Sequence, residues 1–170
     1  LGREKAETLI LISVSSLSAK HVFISSSVTW PDAQTYCRKH TPTCLPSPMR
    51  IAYGFFCFNL MVDEVKKTWE EALEHCRETH TDLTNLNSET ERRLALSEIQ
   101  HNHITKRVWI GLRFLADRWL WLNGDPMVYK AWRNGDQEHQ CPLRKRCGAL
   151  TKEGHWENWD CEERLNFICY

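Results

Sequence analysis

This 170-residue chain contains eight cysteines. Their number and spacing say more about the chemistry of the chain than any other residue type does. A metal-binding thiolate pair would be expected at C-x2-C spacing, which is absent. Eight cysteines are also many for a reducing compartment. The sequence therefore predicts disulfide bonds and an oxidising location, either secreted or in the ectodomain of a longer membrane protein.

Two other chemistries can be weighed from residue types alone. His139, Cys141, Cys147 and His155 are zinc-type donors, but their spacing is not a known ligand pattern. Enzymatic signatures are absent too, because the chain has no nucleophile–base pair, Gly-rich phosphate loop or H-E-x-x-H motif. We therefore expect neither a zinc site nor an enzyme.

Charge and hydropathy exclude further classes of function. Lys plus Arg and Asp plus Glu both number 22, which gives no reason to expect nucleic acid or an anionic membrane as a partner. No apolar stretch approaches the length of a spanning helix. With 42% hydrophobic residues, the chain can form one compact domain with little left for a second.

The first 50 residues divide into two segments. Residues 1–19 have the features of a signal segment, with an apolar core at Leu9–Val14 and small residues before position 20; a buried strand or helix is the alternative. Thr29-Trp30-x-x-Ala33 with Cys37-Arg38 repeats 39 positions later. We interpret residues 20–50 as the strand and helix that begin a preceding, truncated copy of the main domain, followed by a Pro-rich linker.

The elements of the main domain, residues 51–170, can be assigned from periodicity and capping signals. Two helices are predicted, Thr68–Thr79 and Ser88 to about Gln100, each opened by a capping box. The predicted strands are short and lie between turn residues: Phe55–Val62, Val108–Leu112, Trp119–Leu122, Ala149–Thr151, His155–Trp159 and Asn166–Tyr170. This order predicts an α+β domain.

Five ordered motifs in residues 51–170 resemble a C-type lectin-like domain. They are T-W-E-E-A before Cys76, W-I-G-L at Trp109, Cys147, W-E-N-W-D-C ending at Cys161, and N-F-I-C ending at Cys169. Within that family, the chain resembles tandem-domain, fish-type C-type lectins that are similar to macrophage mannose receptor-like proteins. The resemblance implies two helices, short antiparallel sheets and a long irregular loop, stapled by disulfides.

The resemblance implies two disulfides, Cys76–Cys169 and Cys147–Cys161. The first would join the first helix to the last strand, and the second would close the base of the long loop. Four cysteines remain, and their pairing stays open: Cys44–Cys57 is one candidate and Cys57–Cys141 is its rival. Cys37 has no assigned partner.

Six of the eight tryptophans fall between positions 109 and 159. Indole rings can stack on the apolar faces of sugars, but they also form cores. We assign Trp109, Trp119 and Trp156 to the core. Trp132 and Trp159 flank the long loop, and both interpretations stay open for them.

Sugar-binding members of the resembled family hold calcium in the long loop through oxygen ligands. Their triplet position is occupied here by Asp136-Gln137-Glu138, so the proline is absent; the acid position is Lys145; and the last pair is Glu157-Asn158. An ammonium about 4 Å from a divalent ion costs roughly twice the ~4 kcal/mol of a unit charge pair at an effective dielectric of 20. We therefore expect no cofactor, with calcium as the alternative.

Lys145 itself has two interpretations. It can pair with Asp136, Glu138 or Glu157 where the ion would have been, or it can point to solvent in the basic run at 144–146. Under both, the long loop remains an exposed polar surface suited to a partner.

The predicted function is a non-enzymatic extracellular recognition module. It would bind a glycan or protein ligand through residues 134–146 and 155–160, independently of calcium. One alternative is a calcium-dependent carbohydrate lectin that uses Asp136, Glu138, Glu157 and Asn158. Another is a structural or inactive fragment of a longer tandem-domain protein.

Overall fold

The computed structural model describes residues 21–24, 31, 32, 35, 39, 55–135 and 137–170. The chain divides into two compact units, residues 1–59 and 60–170. In unit 1, strand β1 (His21–Ile24) pairs antiparallel with β2 (Phe55–Phe58). The signal-like segment, the Pro-rich linker, Cys37, Cys44 and Asp136 lie outside the described residues.

Unit 2 contains two helices and six strands among its described residues. The helices are α1 (Trp69–Thr79) and α2 (Glu89–Glu98). The strands are β3 (Met61–Lys67), β4 (Arg107–Leu115), β5 (Arg118–Trp121), β6 (Cys147–Thr151), β7 (Trp156–Trp159) and β8 (Leu165–Cys169), with a 3-10 turn at Glu138–Gln140. The prediction of an α+β fold is confirmed.

The strand predicted at Phe55–Val62 is wrong in one respect, since two strands occupy this stretch. Phe55–Phe58 pairs with β1, whereas Met61–Lys67 pairs with β8. A run of apolar residues indicates burial and extended backbone, but not a change of partner at Asn59. β3 is an edge strand, and its Val65 is 56% exposed.

The start of α1 follows the predicted capping box. The Thr68 hydroxyl accepts a hydrogen bond from the Glu71 amide at 3.3 Å, and the Glu71 carboxylate accepts one from the Thr68 amide at 3.1 Å. Residues at helical spacing are then buried: Trp69, Ala72 and Cys76. The helix therefore presents one apolar stripe, as its sequence predicts.

Helix α2 departs from its predicted capping box and is shorter than expected. Ser88 accepts from the Glu91 amide, but the buried Glu91 carboxylate accepts from the Asn87 amide at 2.5 Å and not from Ser88. The helix ends at Glu98, and Ile99 forms its C-cap. The predicted end at Gln100 was two residues too late because helix ends carry weak local signals.

The sheet of unit 2 has the strand order β3-β8-β4-β6-β7, with β5 added to β4. β4 and β8 are parallel, which corrects the expectation of purely antiparallel pairing, while the other pairs are antiparallel. The W-I-G-L strand lies inside: Trp109, Ile110 and Leu112 have no exposed surface. Among the described residues, no helix has the length and apolar character needed to span a bilayer.

Both disulfides implied by the resemblance are confirmed. Cys76 is bonded to Cys169 and Cys147 to Cys161, with Cα atoms 5.4 and 5.3 Å apart. The rival pair Cys57–Cys141 is wrong, because Cys141 carries an exposed free thiol.

The core assignments of the tryptophans are confirmed for two of three. Trp109 and Trp156 are fully buried, but Trp119 is only half-buried. Its indole nitrogen donates to the His139 carbonyl at 2.6 Å. β5 pairs with β4 at the margin of the sheet, and the Trp119 ring contacts Phe114 of β4 and Trp132 of the long loop.

Candidate functional site

A cleft of about 380 Å³ lies between strand β7 and the long loop, the segment 122–146 that connects β5 to β6. It brings together four of the five predicted site positions: Glu138, Lys145, Glu157 and Asn158. The fifth, Asp136, lies outside the described residues. The residues that line the cleft are mostly charged or polar: Arg107, Arg133, Asn134, Gly135, Glu138, Lys145, Glu157, Asn158 and Trp159.

Strand β7 positions two of the predicted site residues, Glu157 and Asn158. It pairs with β6 so that Glu157 faces Ala149 and Asn158 faces Gly148, and the Cys147–Cys161 bond joins the two segments. Burial alternates along β7, because successive side chains of a strand point to opposite faces. Glu157 and Trp159 are half-buried, whereas Asn158 is 6% exposed.

Arg107 holds the Glu157 carboxylate. Its Nη2 and Nε atoms lie 2.9 and 3.1 Å from Glu157 Oε2. The guanidinium carbon also lies 3.8 Å from the centre of the Trp159 ring, at cation–π distance. Arg107 lies outside the five family motifs and is not among the predicted site residues. Its role depends on the register of β4, β6 and β7, and its only local signal is its place two residues before Trp109.

Lys145 lies beside Glu138 and Trp159. Its Nζ atom is 3.8 Å from Glu138 Oε2 and 5.0 Å from the Trp159 ring centre, and 45% of the side chain is exposed. The two interpretations of Lys145 therefore both describe part of its environment. An ion pair this exposed contributes little to stability, about 0–1 kcal/mol.

Asn158 makes a different contact from that of a metal ligand. Its side-chain amide nitrogen donates to the Lys145 carbonyl oxygen at 3.3 Å. This bond fixes the backbone of the long loop to strand β7.

The two open tryptophans both have their rings engaged. Trp132 stacks on His139 at 4.4 Å and 11°, and it meets Trp156 edge-on at 5.6 Å. The ring of Trp159 faces Arg107 and Lys145. One face of each ring is therefore already covered by a side chain.

The described donors in this cleft do not fit a divalent cation of the kind the resemblance implies. Glu157 is bonded to Arg107, and Lys145 lies next to Glu138. Within the described ranges, no group of three His, Cys, Asp or Glu side chains could hold a metal ion. The zinc alternative also loses a ligand, because the Cys147 sulfur is part of a disulfide.

Comparison with known proteins agrees with the fold. The sequence model of the family described as Lectin C-type domain matches residues 65–170. Dromaiocalcin-1 of Dromaius novaehollandiae is 31% identical over 125 residues, which cover 69% of this chain and 80% of that protein.

Two further matches are a larger receptor and a solved structure of a single domain. The secretory phospholipase A2 receptor of Bos taurus is 30% identical over 117 residues, or 66% of this chain and only 8% of the receptor. The carbohydrate-recognition domain of the mouse scavenger receptor C-type lectin superposes with a TM-score of 0.58 at 28% identity, covering 65% of this chain and 84% of that one. Since the family model spans more than half of the sequence and the fold agrees with it, the chain belongs to the C-type lectin domain family.

Proposed function

We propose that the chain is a non-enzymatic extracellular recognition module that binds a glycan or protein ligand without calcium. The ligand surface would comprise the cleft and the residues around it, 134–146 of the long loop and 155–160 in and beside β7. One observation carries the proposal: the carboxylates at the family's calcium positions have cationic partners, Arg107 on Glu157 and Lys145 beside Glu138.

The charges explain why calcium would bind poorly. A divalent ion placed among these carboxylates would have to displace or approach two cations, Arg107 and Lys145. Each such approach at about 4 Å costs roughly 8 kcal/mol at an effective dielectric of 20, before solvent and side-chain movement reduce it. The family's acid at position 145 is missing as well, so the ion would also lose a ligand.

The same residues suit direct recognition of a polar ligand. Arg133 and Lys145 present charged donors at the cleft, and Glu138 presents an acceptor. Charge-assisted hydrogen bonds of this kind can bind hydroxyl, carboxylate or amide groups. An extracellular location is supported by the two disulfides, which persist in oxidising compartments.

Calcium binding can be tested by titration calorimetry on the full chain. We expect no binding of calcium in the micromolar range. Lys145→Glu returns a carboxylate to the family's acid position and should bind calcium more tightly than the wild type. Lys66→Glu makes the same charge change on the exposed face of β3 and should have no effect. Micromolar calcium affinity of the wild type, abolished by EDTA, would contradict the proposal.

Ligand binding can be tested on an array of glycans and extracellular proteins, with and without EDTA. We expect binding that EDTA leaves unchanged. The bound signal should fall at least about tenfold in Lys145→Glu, equivalent to about 1.4 kcal/mol, and not in Lys66→Glu. Binding that disappears in EDTA would instead support the calcium-dependent lectin.

A further inference from the structure

The tripeptide Asn-Gly-Asp occurs twice in the long loop, at residues 123–125 and 134–136. In both copies the Asn is exposed, and the following glycine has a positive φ angle, 79° at Gly124 and 82° at Gly135. Apart from chain neighbours, no heavy atom lies within 4 Å of the position that a Cβ atom would take at either glycine. Sequence, exposure and the room around the glycine are therefore the same at the two sites.

An Asn that is followed by Gly can lose its side-chain amide. The backbone nitrogen of the glycine attacks the Asn Cγ atom, and no side chain on the glycine obstructs the approach. The new N–Cγ bond closes a succinimide ring, the Cγ–Nδ2 bond breaks, and ammonia leaves with the proton of the glycine amide. Water then opens the ring to aspartate or isoaspartate, and either product carries one more negative charge than the Asn did.

At the first copy, hydrogen bonds hold both reacting groups. The Asn123 Nδ2 atom donates to Asp125 Oδ2 at 2.7 Å, and Asn123 Oδ1 accepts from the Asp125 amide at 3.0 Å. The Gly124 amide, which would be the attacking group, donates to the Trp121 carbonyl at 3.1 Å. Attack on Cγ requires the amide to leave its acceptor and the side chain to turn away from Asp125. The folded structure therefore opposes the reaction at Asn123.

The carboxylate that holds Asn123 is itself fixed. The side-chain nitrogen of Asn85 donates to Asp125 Oδ2 at 2.7 Å, and the Asn87 side chain donates to the same oxygen. Asn85 is only 3% exposed. Asp125 is therefore anchored to the segment that precedes α2, and its hold on Asn123 does not depend on the loop alone.

The second copy differs in these contacts and lies in the cleft. Within the part of the chain that the structure describes, no hydrogen bond reaches the side chain of Asn134 or the amide of Gly135. Asn134 lines the cleft together with Arg133 and Lys145. We propose that Asn134 is a site of spontaneous deamidation and that Asn123 is protected from it. The reaction would add a negative charge to the cleft, and isoaspartate would also lengthen the backbone of the long loop there.

Peptide mapping of the aged protein tests this, and it needs no ligand. The full chain is incubated at neutral pH, and samples taken over time are denatured and digested, at mildly acidic pH, with a protease that cleaves after lysine. Asn123 falls on the peptide 107–130 and Asn134 on the peptide 131–145. Deamidation replaces NH2 by OH, and fragment masses locate the change. We expect a rate at Asn134 at least about tenfold that at Asn123, equivalent to about 1.4 kcal/mol of activation free energy.

Two further incubations separate the effect of the hydrogen bonds from that of the sequence. In guanidinium chloride the two rates should approach each other, because neither Asn is then held. In Asp125→Ala, with the fold checked by circular dichroism, the rate should rise at Asn123 and stay unchanged at Asn134.

Four results would overturn the proposal. They are an unmodified Asn134, equal rates at the two sites in the folded chain, a difference that persists in guanidinium chloride, and an unchanged rate at Asn123 in folded Asp125→Ala. If Asp125→Ala does not fold, the comparison of folded and unfolded wild type still decides whether structure protects Asn123.

Discussion

Each carboxylate of the described cleft has a cationic neighbour. Glu157 is held by Arg107 at 2.9 Å, and Glu138 lies 3.8 Å from Lys145. The two pairs differ in exposure, because the side chains of Arg107 and Glu157 are 26% and 21% exposed, whereas those of Lys145 and Glu138 are 45% and 75% exposed. A ligand can therefore displace Lys145 more easily than Arg107.

Away from the cleft, Glu89 is the carboxylate most altered by its neighbours. Arg92, Tyr129 and Arg93 donate hydrogen bonds to it, and these bonds lower its pKa from 4.5 to about 2. The folded state therefore favours the ionised form. The stability that ionised Glu89 contributes is present above pH 4.5 and is lost as the pH falls towards 2.

We expect Glu89→Gln to remove this part of the acid dependence. The measurement is urea unfolding of wild type and variant between pH 2 and 7. The stability difference should be constant above pH 5 and should change between pH 4.5 and 2. Tyr129→Phe removes one donor and should weaken the dependence without abolishing it. A difference that stays constant across the whole range would show that Glu89 does not titrate as stated.

At the residue scale, the sequence could locate positions but not their contacts. Alignment with the family's motifs identified Glu138, Lys145, Glu157 and Asn158, and the structure places all four at one cleft. Arg107 was missed because it reaches Glu157 across two strand pairings that no local pattern specifies. Long-range register is the information that short motifs lack.

At the scale of elements, the W-I-G-L motif is explained by close backbone packing of β4. The Gly111 amide donates to the Thr84 carbonyl at 2.8 Å. A Cβ atom at position 111 would lie 2.7 Å from the Leu83 carbonyl oxygen, which is shorter than a van der Waals contact. Only glycine lets the strand approach the 83–84 segment this closely.

Gly111→Ala should therefore destabilise the domain. Overpacking against a backbone oxygen costs about 1–3 kcal/mol, since the strand must move to relieve the contact. Chemical unfolding followed by tryptophan fluorescence measures the loss. Leu115→Ala, at the exposed end of the same strand, should change stability by less than about 1 kcal/mol. Equal stability of Gly111→Ala and wild type would show that the 83–84 segment can yield.

Element types were easier to predict than element boundaries or partners. Both helices could be predicted, because Thr68 and Ser88 are strong capping residues placed before apolar residues at helical spacing. The change from β2 to β3 could not be predicted, since an apolar run with one polar residue, Asn59, looks the same whether its residues pair with one strand or two. The parallel pairing of β4 with β8 likewise leaves no local trace.

At the scale of the whole molecule, the two bridges of unit 2 have different tasks. Cys76–Cys169 joins the first helix to the last strand across 93 positions of sequence. Cys147–Cys161 spans 14 positions and joins the start of β6 to the residue that lies two positions after β7. The first therefore restrains residues 76–169 of the unfolded chain, and the second restrains the strand that carries Glu157 and Asn158.

Removing the bridges one at a time should separate these tasks. Chain entropy predicts a loss of about 4–5 kcal/mol for Cys76→Ser with Cys169→Ser, and about 3 kcal/mol for Cys147→Ser with Cys161→Ser. Urea unfolding measures both losses, with Cys141→Ser, which removes an exposed free thiol, as the control that should change nothing.

Hydrogen exchange at the cleft should be affected more by loss of the short bridge, although loss of the long bridge lowers the free energy of unfolding more. In the folded protein, amides of residues 156–159 should exchange faster after loss of Cys147–Cys161 than after loss of Cys76–Cys169, because only the former ties β7 locally. Two results would contradict this distinction between the bridges. One is a larger stability loss for the short bridge than for the long one, and the other is equal exchange at residues 156–159 in both variants. The cleft would then owe its shape to the pairing of β6 with β7 and to the Arg107–Glu157 pair.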